Sequence, residues 1–279
     1  MNAMSTIRTA NQVLGRFAPA FTADVARRLM MRPQQNPPRS WELDALDSAE
    51  RITLRFGLSA LRWGTHGPVV LALHGWRGRP TQFARFAAPI VASGRQLIAL
   101  EAPGHGRSPG RESNVVAFAQ ALHEAAAELR WLEALIGHSM GGGAAMLAVA
   151  EGLPVERAVV IGAPAALTRV LDRYADAIAL PANARQAFLA NVDRHVGVPA
   201  AAIDSTALGH RLVLPGLVVH DRDDDMVPFA EGESLARDWR GAEFLATEGL
   251  GHRQVLADAR VIERVMAFLD GRAATRSAA

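Results

Sequence analysis

From residue 50 onward, short apolar runs alternate with stretches of helical periodicity. The apolar runs predict β-strands at 52–56, 59–63, 69–73, 96–100, 133–137, 158–162, 217–220 and 243–246, the first two as a hairpin. The other stretches predict helices at 81–93, 115–130, 142–150 and 258–269. Such alternation is typical of a mostly parallel central sheet flanked by helices, so the pattern predicts an α/β fold.

The segment 163–212 interrupts this alternation. It separates two predicted strands by about fifty residues, whereas connections in α/β units usually hold about two to six. Its apolar residues recur at helical spacing and predict two or three helices. We expect them to form a small helical lid over the functional site, inserted after the sixth strand. A helical insertion docked elsewhere on the sheet edge is the alternative.

The N-terminal stretch has a pattern of its own. Residues 13–31 place apolar positions at helical spacing beside arginines, and the proline-rich residues 32–40 follow. An amphipathic helix that packs on the body is expected, and contact with a membrane or a partner is the alternative. The expected organisation is an N-terminal helix and Pro-rich connector at 1–49, a core at 50–162 and 213–272, and a helical lid at 163–212.

Composition excludes several classes of function. The 279 residues are 49% hydrophobic, which is enough for one large core, and the absence of cysteine excludes disulfides, thiolate catalysis and cysteine-ligated zinc. The 30 basic residues are all arginine and are interleaved with 28 acidic ones, so no nucleic-acid partner is expected. No apolar run has the length of about 20 residues that a membrane span needs, and no secretory signal is evident, so we expect a soluble cytoplasmic protein.

Residues 137–141 read Gly-His-Ser-Met-Gly, between a predicted strand and a predicted helix. A serine hydroxyl is a weak nucleophile, and the pattern G-x-S-x-G at such a turn presents it to a base on one side and to substrate on the other. Glycines at 137 and 141 would let strand and helix cross closely around a strained Ser139. The pattern predicts a nucleophile elbow at Gly137, His138, Ser139 and Gly141, with a chance glycine pattern as the alternative.

A nucleophilic serine needs a base, and the base needs a carboxylate that orients it; in α/β proteins of this kind the chain order is serine, acid, histidine. His252 is the only histidine beyond the acidic segment HDRDDDMVP, and it is the predicted base. The spacing leaves four candidates for the acid: Asp221, Asp223, Asp224 and Asp225. Nothing nearby supplies further metal ligands to this cluster, so no metal is predicted.

Five motifs occur in one order: HGW at 74–76, APGHGRS at 102–108, GHSMGG at 137–142, DxxVP at 224–228 and GxGH at 249–252. Together they resemble the α/β-hydrolase superfamily over roughly residues 50–270. The resemblance implies the α/β-hydrolase fold and Asp224 as the acid, because the family's acid stands three residues before the valine of the V-P pair. Glu101 departs from the family, which commonly has aspartate there, and this affects a loop rather than the chemistry.

The resemblance also assigns roles. Ser139 would attack an acyl carbon, His252 would take the serine proton, and Asp224 would orient the imidazole. The backbone N–H groups of Trp76 and Met140 would form the oxyanion hole.

Three further histidines lie in family motifs. His74 and His105 are interpreted as residues that shape loops, and the side chain of His138 is expected to point away from Ser139.

These features favour a serine hydrolase, in the first place a carboxylesterase that acts on small to medium esters through an acyl-enzyme at Ser139. Thioesterase, lactonase, carbon–carbon hydrolase and cofactor-free peroxidase chemistry use the same triad and are alternatives. A ligand receptor without enzymatic activity is the alternative from another class. The expected partner is a small ester-like molecule, and no cofactor is predicted. The sequence does not indicate an oligomeric state.

Overall fold

The computed structural model describes residues 3–34 and 40–271. Its strands are β1 Glu50–Leu54, β2 Leu58–Trp63, β3 Val69–Leu73, β4 Gln96–Leu100, β5 Leu132–His138, β6 Val155–Ile161, β7 Gly216–Asp221 and β8 Glu243–Thr247. Its helices are α1 Ala3–Phe17, α2 Pro19–Met31, α3 Ser40–Asp47, α4 Ala84–Ala92, α5 Val115–Leu129, α6 Met140–Ala150, α7 Leu167–Ala177, α8 Ala182–Val196, α9 Ser205–Leu208, α10 Phe229–Asp238, α11 Gly251–Gln254 and α12 Ala259–Leu269.

The strands form one sheet in the order β1-β2-β4-β3-β5-β6-β7-β8. Strand β2 is antiparallel to β1 and β4, and every other neighbouring pair is parallel. The predicted hairpin and the predicted mostly parallel sheet are confirmed. In such a sheet the functional groups gather at the carboxyl ends of the parallel strands, where the loops that follow β3, β5, β7 and β8 meet.

Both faces of the sheet are buried, which explains why its central strands read as unbroken apolar runs. In β3, Leu71 and Leu73 face an apolar core that includes α5 and α6. Val70 and Ala72, at the alternate positions, face a second core that includes α4 and α12. The two cores fix the sheet from both sides and hold the strand ends in place.

The predicted helix at 13–31 is two helices, α1 and α2. Pro19 begins α2, because proline lacks the N–H that would continue the hydrogen-bond ladder of α1 and has a φ suited to a first helical turn. The sequence pattern also missed α3, whose Glu42 carboxylate accepts a hydrogen bond of 2.7 Å from the Thr81 hydroxyl. It missed α10 as well. Residues 35–39 of the predicted connector lie outside the described residues.

The N-terminal helices pack on the inserted helices, and we call α1, α2, α7 and α8 together the helical cap. An apolar cluster that contains Ala23, Ala26, Phe188 and Val192 joins α2 to α8. Two hydrogen bonds to backbone carbonyls join the N-terminal helices to α7 and the residue after it: Asn11 Nδ2 to Ile178 at 2.8 Å, and the Tyr174 hydroxyl to Ala26 at 3.1 Å. The inserted segment and the N-terminus therefore form one packed body.

The outer face of α1 and α2 exposes several apolar side chains. Phe17 is 86% exposed and Phe21 is 63% exposed, with Val13 and Leu14 nearby on α1. Within the described residues, no helix has the length and apolar character needed to cross a bilayer. Contact between this face and a membrane stays a prediction.

We expect Phe188→Ala to loosen the cap. Phe188 is fully buried, so its truncation leaves a cavity and should lower the free energy of unfolding by about 3 kcal/mol. Urea denaturation measures this, and trypsin should cleave the arginines of α1 and α2 faster. Phe21→Ala, on the exposed face, is the matched control and should change neither quantity. Equal effects of the two substitutions would contradict the described packing.

Candidate active site

Ser139 stands at the sharp turn between β5 and α6. Its backbone has φ 53° and ψ −122°, a conformation that residues with side chains rarely adopt and that costs about 1–3 kcal/mol. Hydrogen bonds compensate for this strain. The Ser139 N–H donates to Ile161 at 2.9 Å, and the Ser139 carbonyl accepts from Gly142 at 2.9 Å and from Gly143 at 3.1 Å.

Glycines make room for this turn. A β-carbon at Gly137 would lie 2.5 Å from the carbonyl oxygen of Gly141, and one at Gly141 would lie 2.2 Å from that of Leu73. Gly75 lies against the serine itself, since a β-carbon there would be 2.7 Å from Ser139 Cβ. Strands β3 and β5 and helix α6 thus meet at distances that only glycine permits.

Asp224 and His252 form a buried pair. Asp224 Oδ2 lies 2.7 Å from His252 Nδ1, and the two side chains are 1% and 4% exposed. The other oxygen, Oδ1, accepts backbone N–H bonds from Met226 at 2.9 Å and Val227 at 2.8 Å. Burial raises the pKa of Asp224, but the hydrogen bonds from His220, His252 and Val227 outweigh it and hold the pKa well below its usual range.

Because Asp224 is ionised, it accepts the proton on His252 Nδ1 and leaves a lone pair on Nε2. His252 and Ser139 line the same pocket. Within the described residues, no hydrogen bond joins Ser139 Oγ to His252 Nε2; such contacts often tighten only when substrate binds. The arrangement places an oriented imidazole and a strained serine in one cavity.

The other three aspartates of the acidic segment have different surroundings. Asp221 Oδ1 accepts N–H bonds from Asp223 at 3.0 Å and Gly251 at 2.9 Å, and Asp221 Oδ2 accepts from the Thr247 hydroxyl at 2.7 Å. Asp223 accepts from Gly249 at 2.8 Å, and Asp225 is exposed. Among the four, Asp224 is the aspartate that contacts His252.

His220, which the sequence analysis did not single out, supports Asp224. It is fully buried, and its Nε2 lies 2.9 Å from the Val227 carbonyl and 3.5 Å from Asp224 Oδ2. Since His220 lies inside an unbroken apolar strand, periodicity gave no signal for it.

His138 contacts the base rather than the serine. Its Nε2 lies 2.8 Å from the His252 carbonyl oxygen, and the two rings are 4.8 Å apart. Burial, helped by the nearby His252, lowers the pKa of His138 to about 3. His138 is therefore neutral at ordinary pH and ties the loop of His252 to β5.

Trp76 and Met140 have backbone N–H groups that face no acceptor. Met140 begins α6, so its N–H has no partner in a preceding turn. The Trp76 N–H makes no hydrogen bond within the described part of the chain. The residues before them, Gly75 and Ser139, lie close together, so the two N–H groups belong to neighbouring backbone segments, and their role as an oxyanion hole stays a prediction.

His74 and His105 hold the loops around these groups. His74 Nε2 accepts the Ala102 N–H at 3.1 Å, and its Nδ1 lies 2.8 Å from the Gly75 carbonyl. His105 Nε2 accepts the Arg77 N–H at 3.2 Å. Burial, with a contribution from His105, lowers the pKa of His74 to about 3.

Glu101 holds the same region. Its carboxylate accepts the Arg107 N–H at 2.8 Å. This glutamate, which stands where α/β-hydrolases commonly have aspartate, therefore stabilises its own loop.

Ser139 opens into a cavity of about 1250 Å³, which we call the Ser139 pocket. Its walls come from the loops after β3, β5 and β8 and from all four helices of the cap. The role of residues 163–212 as a movable lid stays a prediction. No cluster of three side chains able to ligate a metal occurs in residues 3–34 and 40–271.

Comparison with known proteins finds sequence similarity to hydrolases. Residues 64–193 match a family model of hydrolases described as serine aminopeptidase, S33. A serine hydrolase-like protein of Dictyostelium discoideum is 31% identical over 140 residues, which are 45% of this chain and 38% of the relative. Esterase Rv0045c of Mycobacterium tuberculosis is 36% identical over 140 residues, which are 47% of this chain and 45% of the relative. The chain spans less than half the length of these curated relatives.

Similarity to a solved structure extends over a larger part of the chain than these sequence matches do. An esterase of Exiguobacterium antarcticum superposes with a TM-score of 0.59 at 18% identity, over 79% of this chain and 98% of that one. At this identity the likeness concerns the fold.

We expect stability to fall with acid because of His74 and His138. Both have a folded pKa of about 3 against an ordinary 6.5, so between these values the unfolded chain binds protons that the folded chain does not. Each should lower the free energy of unfolding by up to about 1.4 kcal/mol per pH unit as pH falls through this window. Urea denaturation at pH 7, 6 and 5 measures the slope.

His138→Gln should make that slope shallower, whereas the exposed His66→Gln should leave it unchanged. A slope that is the same in all three proteins would show that His138 titrates normally.

Proposed function

We propose that this chain, a member of the α/β-hydrolase superfamily, is a serine hydrolase that cleaves carboxylic esters through an acyl-enzyme at Ser139. The fold itself is confirmed by the sheet order and by its likeness to solved structures. The observation that carries the proposal is the strained Ser139 in one pocket with the buried Asp224–His252 pair. Strain of this kind is retained where the surrounding structure requires it, and it is often found at functional sites.

The acylation step follows from the positions of these groups. His252 Nε2 takes the proton of Ser139 Oγ as the oxygen attacks the ester carbon, and Asp224 stabilises the imidazolium that forms. The carbonyl oxygen becomes an oxyanion, to which the N–H groups of Trp76 and Met140 donate. Removal of one such donor typically lowers the rate by about a hundredfold or more. The tetrahedral species then collapses, and His252 gives the proton to the departing alcohol.

Deacylation repeats the cycle with water as the nucleophile. His252 removes a proton from water, the hydroxide attacks the acyl carbon, and Ser139 leaves with the proton from His252. The net reaction converts an ester and water into an acid and an alcohol. His138 and His220 take no proton in this scheme; they position His252 and Asp224.

The size and lining of the pocket suit an ester with an apolar acyl chain. The pocket volume of about 1250 Å³ accommodates a medium acyl chain, and the cap supplies apolar walls. One similar protein and one similar structure are described as esterases. Thioesters, lactones and carbon–carbon bonds next to a carbonyl would react with the same triad.

We expect a fluorophosphonate to label the wild type once and Ser139→Ala not at all, since only an activated serine attacks phosphorus readily. In parallel, Ser139→Ala should lower kcat for p-nitrophenyl octanoate by at least about a thousandfold. Intact mass and steady-state kinetics measure these effects. Ser113→Ala is the matched control, because Ser113 is a second buried serine in the same pocket.

Ester turnover that survives in Ser139→Ala would refute the proposal. A wild type that binds esters but completes no cycles would instead be a receptor.

We expect Asp224→Asn to lower kcat by about 10⁴-fold while the fold is kept, because an amide cannot hold His252 in the required tautomer. Asp225→Asn is the matched control. Asp225 is the exposed neighbour and makes no side-chain hydrogen bond within the described residues, so its kcat should stay close to that of the wild type. Comparable losses in both variants would remove Asp224 from the catalytic role.

A further inference from the structure

Positive charge predominates in the lining of the Ser139 pocket. Among its described lining residues are five arginines and one carboxylate, that of Glu42, and the arginines are Arg77, Arg79, Arg85, Arg173 and Arg253. Two of them face acids. Arg79 lies 3.4 Å from Glu42, and Arg173 forms an ion pair with the buried Glu231. The cationic character of the pocket therefore comes from the other three.

Arg77, Arg85 and Arg253 are exposed, and their guanidinium groups form no ion pair or hydrogen bond within residues 3–34 and 40–271. Other arginines are paired with carboxylates, as Arg95 is with Glu133 at 2.9 Å. Three unpaired cations around one cavity focus a positive potential into it, since the protein walls screen charge less than water does.

Two of these arginines adjoin proposed catalytic groups in the chain. Arg77 follows Trp76, a proposed oxyanion donor, and its φ of 56° is unusual for a residue with a side chain. Arg253 follows His252, and Arg85 lies in the first turn of α4. All three line the same pocket as Ser139 and His252.

The helical cap contributes apolar side chains to the pocket wall, among them Ile7, Val25, Leu29, Val170, Leu171 and Val192. The pocket is thus amphipathic, with unpaired arginines from two loops and α4 and apolar side chains from the cap.

We propose that the substrate is an amphiphilic ester with an apolar acyl chain and an anionic head group, phosphate or carboxylate, on its alcohol side. The inference rests on the proposed hydrolysis at Ser139. The acyl chain lies against the cap, and the head group lies among Arg77, Arg85 and Arg253. The anion belongs to the alcohol because His252, the neighbour of Arg253, gives its proton to the leaving alcohol. Guanidinium groups bind phosphate and carboxylate through paired hydrogen bonds.

The test compares three octanoyl esters: 1-octanoylglycerol, its 3-phosphate and 3-octanoylglycerate. The first is neutral and the other two are anionic. We expect kcat/KM to be about tenfold or more higher for at least one anionic ester, as expected for hydrogen bonds to charged groups. The better anion identifies the head group. Added salt should reduce this preference, since it screens the attraction.

Substitutions of the three arginines test whether these residues cause the preference for anionic esters. Arg77→Gln, Arg85→Gln and Arg253→Gln should each lower the ratio of anionic to neutral kcat/KM, and Arg77→Lys should retain part of the ratio because the charge remains. Arg240→Gln is the matched control, since Arg240 is exposed and does not line the pocket. Its ratio should equal that of the wild type. A ratio that falls equally in Arg240→Gln would assign the preference to overall charge and overturn the site.

Binding separates this inference from the proposed function. Calorimetric titration of Ser139→Ala with the three esters needs no turnover, and the preferred anionic ester should bind about tenfold tighter than the neutral one. Equal affinities would overturn the inference even if the wild type hydrolyses all three. Anionic preference in binding without any hydrolysis by the wild type would retain the anion site and reject the esterase.

Discussion

The close approach of β3, β5 and α6 is the constraint on which the site depends. Gly137 and Gly141 allow it, and it holds Ser139 in a left-handed conformation that no flexible loop would maintain. Helix α6 is buried from Gly141 to Ala150, and the part that follows the crossing consists of the small residues 141–145. The position of the serine is therefore set by the packed sheet. The groups that surround it only have to be placed relative to a fixed point.

The second fixed relation joins Asp224 and His252, and it depends on a carboxylate outside the pair. Asp221 accepts hydrogen bonds from Asp223 in its own loop and from Gly251 in the loop of His252. It thereby holds together the two loops that carry Asp224 and His252. One loop uses two aspartates in different ways, the first to fix loop geometry and the second to face the imidazole. Removing Asp221 would disturb the pair without touching it.

The sequence predicted the sheet well because strands buried on both faces are unbroken apolar runs. The sequence predicted contacts less well where the two residues lie far apart in the chain. Asn11 and Ile178 are joined by a hydrogen bond across 167 positions. No local periodicity encodes this bond or the packing of α2 on α8. The choice of Asp224 among four aspartates came from the family resemblance, since spacing could not decide it. His220 was missed because a histidine inside an apolar strand resembles a core residue.

The packing of the cap bears on access to Ser139. Helix α2 shares an apolar cluster with α7 and α8, so a movement of the insertion alone would expose buried side chains such as Phe188. A movement of the insertion at low cost therefore requires the N-terminal helices to move with it. Residues of both parts line the Ser139 pocket. The exposed apolar face of α1 and α2 lies on this same body, so whatever binds there would also act on the entrance to the serine.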